Sequence, residues 1–120
     1  MNSGRTAKDP RRRLGALGEH RAATWYRRRG YTILDRNWRC RTGELDLVAG
    51  RGDVIVFCEV KTRSSRRFGH PAEAVTVAKQ RRIRRLALLW LGASGLSAGQ
   101  LRFDVAAVEG RGVEVIQGAF

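Results

Sequence analysis

The alternation of apolar and polar residues predicts a mixed sheet of about five strands. Several short segments rich in Val, Ile, Leu and Phe show the two-residue period of strands and are bounded by glycine or polar residues. Gly50-Arg51-Gly52 separates two of them and predicts a hairpin turn. The predicted strands are residues 31–36, 43–49, 53–61, 101–108 and 112–117.

Two longer segments have the apolar spacing that is typical of helices packed on a core. In residues 14–29, small and apolar residues recur at helical spacing, and Gly30 follows where a helix would end. Residues 72–91 predict a second helix, which the small residues of 92–99 are expected to end. Its apolar stripe consists of Ile83, Leu86, Ala87 and Trp90. The pattern therefore predicts an α/β fold.

Length and cysteine content indicate a single domain without disulfide bonds. A chain of 120 residues can bury about two-thirds of its unfolded surface, and two cysteines are too few for a disulfide framework. Residues 1–13 are basic without apolar periodicity, which predicts a flexible arm before a domain at 14–120. No apolar run approaches the roughly 20 residues of a membrane span, and no signal peptide follows the basic start. We therefore expect a cytoplasmic protein.

Charge is distributed unevenly along the chain. The formal net charge is +13, yet residues 42–60 carry −3 between segments 1–41 and 61–91, which carry +9 and +8. Basic flanks favour a polyanion such as nucleic acid, and the acidic segment offers oxygen ligands for a hard cation. A basic structural or ribosome-associated protein has the same composition, so charge alone leaves that alternative open.

Three carboxylates and a lysine interrupt the apolar strands of the predicted hairpin. Burying ionised groups beside Val, Ile and Phe is costly unless they are paired or hold a metal. Strict alternation places Glu44, Asp46 and Val48 on one face, and Glu59 on the same face as Lys61. Facing residues on adjacent antiparallel strands lie about 5 Å apart. We therefore expect Asp46 and Glu59 to share one divalent cation.

The expected cation is Mg²⁺ or Mn²⁺, because both prefer oxygen ligands. Asp46, Glu59 and the main-chain carbonyl of Val60 would hold it beside a phosphate oxygen, where it would lower the pKa of bound water from about 15.7 towards neutrality. Lys61 would orient that water or neutralise transition-state charge. With three lysines against 21 arginines, a lysine here indicates a need for a compact ammonium group. The alternative is a Glu59–Lys61 ion pair that protects an edge strand.

Two motifs of the hairpin resemble the D…ExK signature of the restriction-endonuclease-like fold. They are Gly43-Glu44-Leu45-Asp46-Leu47-Val48 and Glu59-Val60-Lys61-Thr62-Arg63. Together with Leu14-Gly15 to Gly18-Glu19, Lys79-Gln80 and Arg102-Phe103-Asp104, they resemble the YraN family of bacterial proteins over residues 14–110. The resemblance implies a mixed sheet flanked by helices and a distant kinship to archaeal Holliday junction resolvases. It also implies nuclease activity by analogy of fold, and a homodimer.

The resemblance and the sequence pattern together indicate roles for four further residues. It implies that Glu19, on the first helix, joins the metal site, and a surface pair of Glu19 with an arginine is an equal alternative. Gln80 resembles a polar residue near the site of some nucleases, although a solvated position is the simpler interpretation. Glu44 is expected to support the site from behind Asp46. For Asp104 we expect a buried ion pair with an arginine.

Arginines around the second helix are expected to contact nucleic-acid phosphates. Such contacts position a substrate without reading its bases, and a run of arginines is also compatible with a solvated face. The expected contact residues are Arg63, Arg66, Arg67, Arg81, Arg82 and Arg85. The sequence thus predicts a metal-dependent endonuclease acting on DNA rather than RNA, including branched or junction DNA. A catalytically silent nucleic-acid-binding protein on the same fold is the main alternative.

Overall fold

A computed structural model describes residues 10–63 and 75–120, which form one mixed sheet with a helix on each face. The elements are α1 (Pro10–Arg27), β1 (Thr32–Cys40), β2 (Gly43–Arg51), β3 (Val54–Arg63), α2 (Val77–Ser94), β4 (Gln100–Glu109) and β5 (Gly112–Ile116). The predicted α/β class, with five strands and flanking helices, is confirmed for these residues. The architecture is consistent with a restriction-endonuclease-like fold.

The strands are ordered as they occur in the chain, β1-β2-β3-β4-β5. All neighbours are antiparallel except β3 and β4, which are parallel and are connected by the segment that contains α2. β3 is therefore the central strand. This position contradicts the interpretation of Glu59 and Lys61 as an ion pair protecting an edge strand.

The two helices cover opposite faces of the sheet. The predicted stripe of α2 is buried against Val48 and Phe57. On the other face, Ala22, Ala23 and Tyr26 of α1 pack against Leu47, Val56 and Cys58. Because alanines bring little bulk, α1 lies close to the sheet. Neither helix of the described residues is long and apolar enough to span a bilayer.

Helix α1 begins earlier than the periodicity predicts. It starts at Pro10, whereas the prediction assigned residues up to 13 to a flexible arm. Proline is favoured in the first turn of a helix because its φ is already helical and its missing N–H has no helical partner there. The helix therefore begins four residues before its predicted start at Leu14, and residues 1–9 of the predicted arm lie outside the described residues.

Helix α2 is displaced towards the C-terminus from its predicted bounds of 72–91. It begins at Val77 because Thr76 caps it, with the Thr76 hydroxyl accepting the Lys79 N–H at 3.2 Å. Gly92 does not end the helix, which continues to Ser94. Gly95 ends it in the left-handed region at φ 73°, which glycine adopts without strain.

Strand β1 continues four residues beyond its predicted end. It passes through Asn37, whose φ of 53° is tolerated better by asparagine than by most residues. The strand also has an irregularity between Ile33 and Asp35. Asp35 accepts a hydrogen bond from Trp90 Nε1 at 2.9 Å, which joins the edge of the sheet to α2.

A buried carboxylate joins α1, β4 and the C-terminal segment. Asp104 is 0% exposed and accepts two hydrogen bonds from Arg102, both at 2.9 Å. Tyr26 of α1 donates to the same carboxylate at 2.6 Å, and the Gly118 N–H donates at 3.0 Å. The expected ion pair of Asp104 with an arginine is confirmed. A buried charge with four hydrogen bonds is compensated, whereas an unpaired one would be costly.

We expect Asp104→Asn to lower the free energy of unfolding by about 3 kcal/mol, because it removes the charge that Arg102 pairs with in a desolvated position. Urea denaturation followed by circular dichroism measures the change. Tyr26→Phe, which removes one of the four hydrogen bonds, should cost less. Equal stability of Asp104→Asn and the wild type would contradict a stabilising role for this ion pair.

Candidate active site

Strands β2 and β3 separate at the end of their shared ladder. Their pairing ends with Leu47 opposite Cys58, although β2 continues beside β1 and β3 continues beside β4. At the point of separation, the Val60 N–H donates to Asp46 Oδ2 at 2.9 Å. The Asp46 carboxylate thus bridges the two strands where main-chain pairing stops.

The predicted strict alternation of Glu44, Asp46 and Val48 is wrong. Leu45 and Val48, three residues apart, pack in the same core cluster on the α2 face. A change of face between them is required, since two-residue periodicity would place them on opposite sides. The neighbouring strand β1 has the left-handed residue Asn37 at the same level, between the pairs formed by Leu47 and Leu45.

Asp46 and Glu59 come together where the two strands separate. Glu59 is buried, with 8% of its surface exposed, and its side chain interacts directly with the carboxyl group of Asp46. Burial, followed by the charge of Glu59, raises the pKa of Asp46 from 3.8 to about 7, against the opposing effect of the Val60 hydrogen bond. Two desolvated acids therefore lie within interaction distance, as the proposed pairing on one cation requires.

A close contact between α1 and β3 brings Glu19 near this pair. A Cβ on Gly18 would lie 2.0 Å from Thr62 Oγ1, so only glycine permits this approach of the helix. Burial raises the pKa of Glu19, and the charges of Glu44 and Glu59 contribute, while Asn37 and Arg36 act in the opposite direction. Among the described residues, however, no three acids, histidines or cysteines are arranged to hold a metal. Glu19 is thus near the pair without completing a three-acid set.

Two lysines compensate the charge of Glu59. Lys79 Nζ lies 2.6 Å from Glu59 Oε2, and Lys61 Nζ lies 3.5 Å from the same atom. Burial lowers the pKa of Lys61, and contact with Lys79 lowers it further. Burial is the largest single effect on Lys79 and opposes its ammonium form, but the side-chain interactions with Glu59 and Lys61 and the charges of the two acids together outweigh burial and raise the pKa of Lys79.

Sequence reasoning assigned no role to Lys79 in the site. The helical periodicity correctly separated it from the apolar stripe but carried no information about which strand residue it meets. A usable signal was present, because the chain has only three lysines and two of them converge on Glu59. The rarity of lysine in this chain, which indicates a specific role for Lys61, therefore indicates one for Lys79 as well.

Two residues expected to support the site have other contacts. Glu44 forms an exposed ion pair with Arg39, with 2.5 Å between Oε2 and Nε. The side-chain amide of Gln80 donates to the carbonyl of Val75 at 3.1 Å, which stabilises the start of α2. Glu44 influences the site through its charge on Glu19. The roles predicted for Glu44 and Gln80 behind the metal stay predictions.

Basic side chains of α2 line a depression at the surface of the protein. Its volume is about 440 Å³, and exposed arginines form most of its lining. Thr42, from the turn between β1 and β2, closes it on the other side. These arginines are Arg81, Arg82 and Arg85. Arg63 lies at the end of β3, and the predicted contacts Arg66 and Arg67 lie outside the described residues.

Comparison with known proteins identifies one family. The model of the family described as "Uncharacterised protein family UPF0102", the YraN family, matches residues 18–108. A UPF0102 protein of Moorella thermoacetica is 52% identical over 116 residues, covering 92% of this chain and 97% of the relative. A UPF0102 protein of Rhodococcus jostii is 56% identical over 95 residues, covering 79% and 80%. The matched residues include Glu19 and both acidic strands of the site.

The raised pKa of Asp46 predicts a stability that falls with pH. Because the fold favours the protonated carboxyl, its stabilising contribution is complete below pH 3.8 and is lost as the pH rises through about 7. Asp46→Asn keeps an acceptor for the Val60 N–H without titrating. In metal-free buffer, we expect the unfolding temperature of this variant, relative to that of the wild type, to increase as the pH is raised from 4 to 8. A difference independent of pH would contradict the shift.

Proposed function

For this chain, which belongs to uncharacterised protein family UPF0102, we propose the function of a metal-dependent nuclease that hydrolyses phosphodiester bonds of DNA. The observation that carries the proposal is the convergence of the buried acids Asp46 and Glu59 beside two lysines. Desolvated acids with a raised pKa are costly to a fold and are concentrated at functional sites. Exposed arginines on α2 supply a surface for the polyanion.

The donor set supports Mg²⁺ or Mn²⁺ as the cofactor. Mg²⁺ keeps several waters and is commonly held by one or two carboxylates together with substrate phosphate, so a third acid is not required. Asp46, Glu59 and the Val60 carbonyl would hold the ion, and Glu19, whose charge acts on both acids, would contribute through water. When bound, such an ion polarises a phosphoryl oxygen and makes its bound water more acidic.

The lysines would have separate roles in this reaction. Lys61 forms the longer contact with Glu59, with 3.5 Å between Nζ and Oε2, and would neutralise charge that develops on the phosphoryl oxygens. Lys79 forms the shorter contact with Glu59 and would position its carboxylate. Because Lys79 and a cation bind the same carboxylate, the two compete for it.

One observation favours the second candidate, a nucleic-acid-binding protein without catalysis. Lys79 and Lys61 already neutralise Glu59, so this acid has compensation without a metal ion. The two candidates share the same polyanion surface and differ in divalent-ion binding and turnover. Cleavage assays and metal titrations therefore distinguish them.

We expect Asp46→Asn, Glu59→Gln and Lys61→Met each to reduce the cleavage rate by at least 100-fold. This factor corresponds to a loss of roughly 2.7 kcal/mol of transition-state stabilisation. Salt-sensitive DNA binding should change little. The assay uses labelled branched, nicked, double-stranded and single-stranded DNA with Mg²⁺ or Mn²⁺. Asp53→Asn, at the exposed hairpin turn, is the matched control.

Two outcomes would decide against the nuclease. Wild-type protein that binds these substrates and cleaves none of them would establish the catalytically silent alternative. Loss of folding and of binding in all three variants would identify the residues as structural. An equivalent panel of RNA substrates tests the preference for DNA.

Competition at Glu59 predicts that Lys79→Met strengthens Mn²⁺ binding. Removing the ammonium that lies 2.6 Å from the carboxylate should raise the affinity roughly tenfold, the equivalent of about 1.4 kcal/mol. Isothermal titration measures the affinity, and thermal unfolding in chelator should show a lower midpoint because Glu59 loses a partner. Arg81→Met removes the same charge from α2 and is the control. Weaker Mn²⁺ binding by Lys79→Met would refute the competition.

A further inference from the structure

A second basic depression lies on the face of the sheet opposite α2. It is formed between α1 and the β4–β5 hairpin, has a volume of about 610 Å³, and is named here the α1–β5 depression. Its lining contains no acidic side chain among residues 10–63 and 75–120. Its polar and aromatic lining includes His20, Arg21, Trp25, Arg28, Arg29 and Arg111. The predicted nucleic-acid contacts include none of these residues.

Two interactions hold the depression in shape. Arg21 donates a hydrogen bond to the main-chain carbonyl of Gly110, in the turn between β4 and β5. Gly110 has a φ of 57°, which allows the tight turn and places Arg111 beside α1. The Arg29 guanidinium lies 3.7 Å from the ring centroid of Trp25 and donates to its carbonyl at 3.0 Å. Arg21 and Arg29 are therefore structural parts of the wall.

Arg28 and Arg111 differ from Arg21 and Arg29 in their interactions. Both are exposed, and neither forms an ion pair or side-chain hydrogen bond with another described residue. Two cationic side chains in one concave surface whose described lining holds no acid favour an anionic ligand. The neighbouring depression around Arg63 is different, because Glu109 and Glu114 also line it.

We propose that the α1–β5 depression binds the phosphate backbone of nucleic acid through Arg28 and Arg111. The lining begins at Leu17 and follows α1 towards its end at Arg27, a helical length of about 15 Å at 1.5 Å per residue, and it continues to Arg28 and Arg29 in the turn that follows. Duplex DNA has a phosphate every 3.4 Å of axis on each strand, so a surface of about this length reaches several phosphates. A single free phosphate would occupy only part of it.

The position of the depression relates it to the candidate site. Its Leu17 end lies next to Gly18, which contacts Thr62, and next to Glu19. A strand whose scissile phosphate reached Asp46 and Glu59 would thus have a basic surface to follow along α1. The choice of DNA as the polyanion rests on the proposed function, whereas the surface itself does not depend on catalysis.

Salt-dependent binding tests the proposal. Full-length protein carrying Asp46→Asn, so that DNA is not cleaved, is titrated with labelled duplex DNA at several salt concentrations. Arg28→Ala and Arg111→Ala should each reduce the slope of log K against log salt by nearly one, the value for one lost phosphate contact. Arg27→Ala is the matched control, since Arg27 is an exposed arginine next to Arg28, at the last residue of α1, but does not line the depression.

Three results would overturn the proposal. The first is a slope for Arg28→Ala and Arg111→Ala equal to that of Arg27→Ala. The second is displacement of DNA by low-millimolar inorganic phosphate at constant ionic strength, which would mark a small-anion site. The third is equal competition by polyglutamate, which would mark a surface for acidic proteins. Lower slopes without cleavage by the wild type would support this surface while refuting the proposed nuclease.

Discussion

The candidate site depends on the hydrogen bond from the Val60 N–H to Asp46 Oδ2. This bond forms where β2 and β3 stop pairing, so a carboxylate replaces a main-chain acceptor at the centre of the sheet. Continued pairing would have placed a main-chain carbonyl where the Asp46 carboxylate lies, and complete separation would have left a buried N–H unsatisfied. The acid bridges the strands and at the same time faces Glu59. The opening of the sheet and the pairing of the acids therefore have one structural cause.

Compensation of buried charge explains the residues around this opening. Burial and the charge of Glu59 favour the protonated form of Asp46, and Glu59 has two ammonium partners. Lysine suits this position because its compact charge allows two side chains to approach one oxygen. The arrangement satisfies Glu59 without a metal ion, yet its acids are suited to a hard cation. The Glu59 carboxylate would thus contribute both to the stability of the fold, through its lysine partners, and to metal binding.

The rest of the fold positions two basic surfaces on opposite faces of the sheet. Asp104 joins α1 to β4 through Tyr26 and Arg102, and the absence of a side chain on Gly18 lets α1 approach β3. Helix α2 crosses the other face, where it contributes Lys79 to the site and arginines to the surface. The positive charge of the chain therefore lies on both helical faces, in the described residues, rather than on α2 alone.

Local pattern determined most of the elements and the identity of the acids in this protein. Five strands, two helices and the apolar stripe of α2 follow from periodicity, because burial on one face repeats with the geometry of each element. The pairing of Asp46 with Glu59, the edge or central position of β3, and the partner of Lys79 do not follow from it. Tertiary structure decided these, because a change of face within β2, the parallel pairing of β3 with β4, and the packing of α2 bring together residues far apart in the chain.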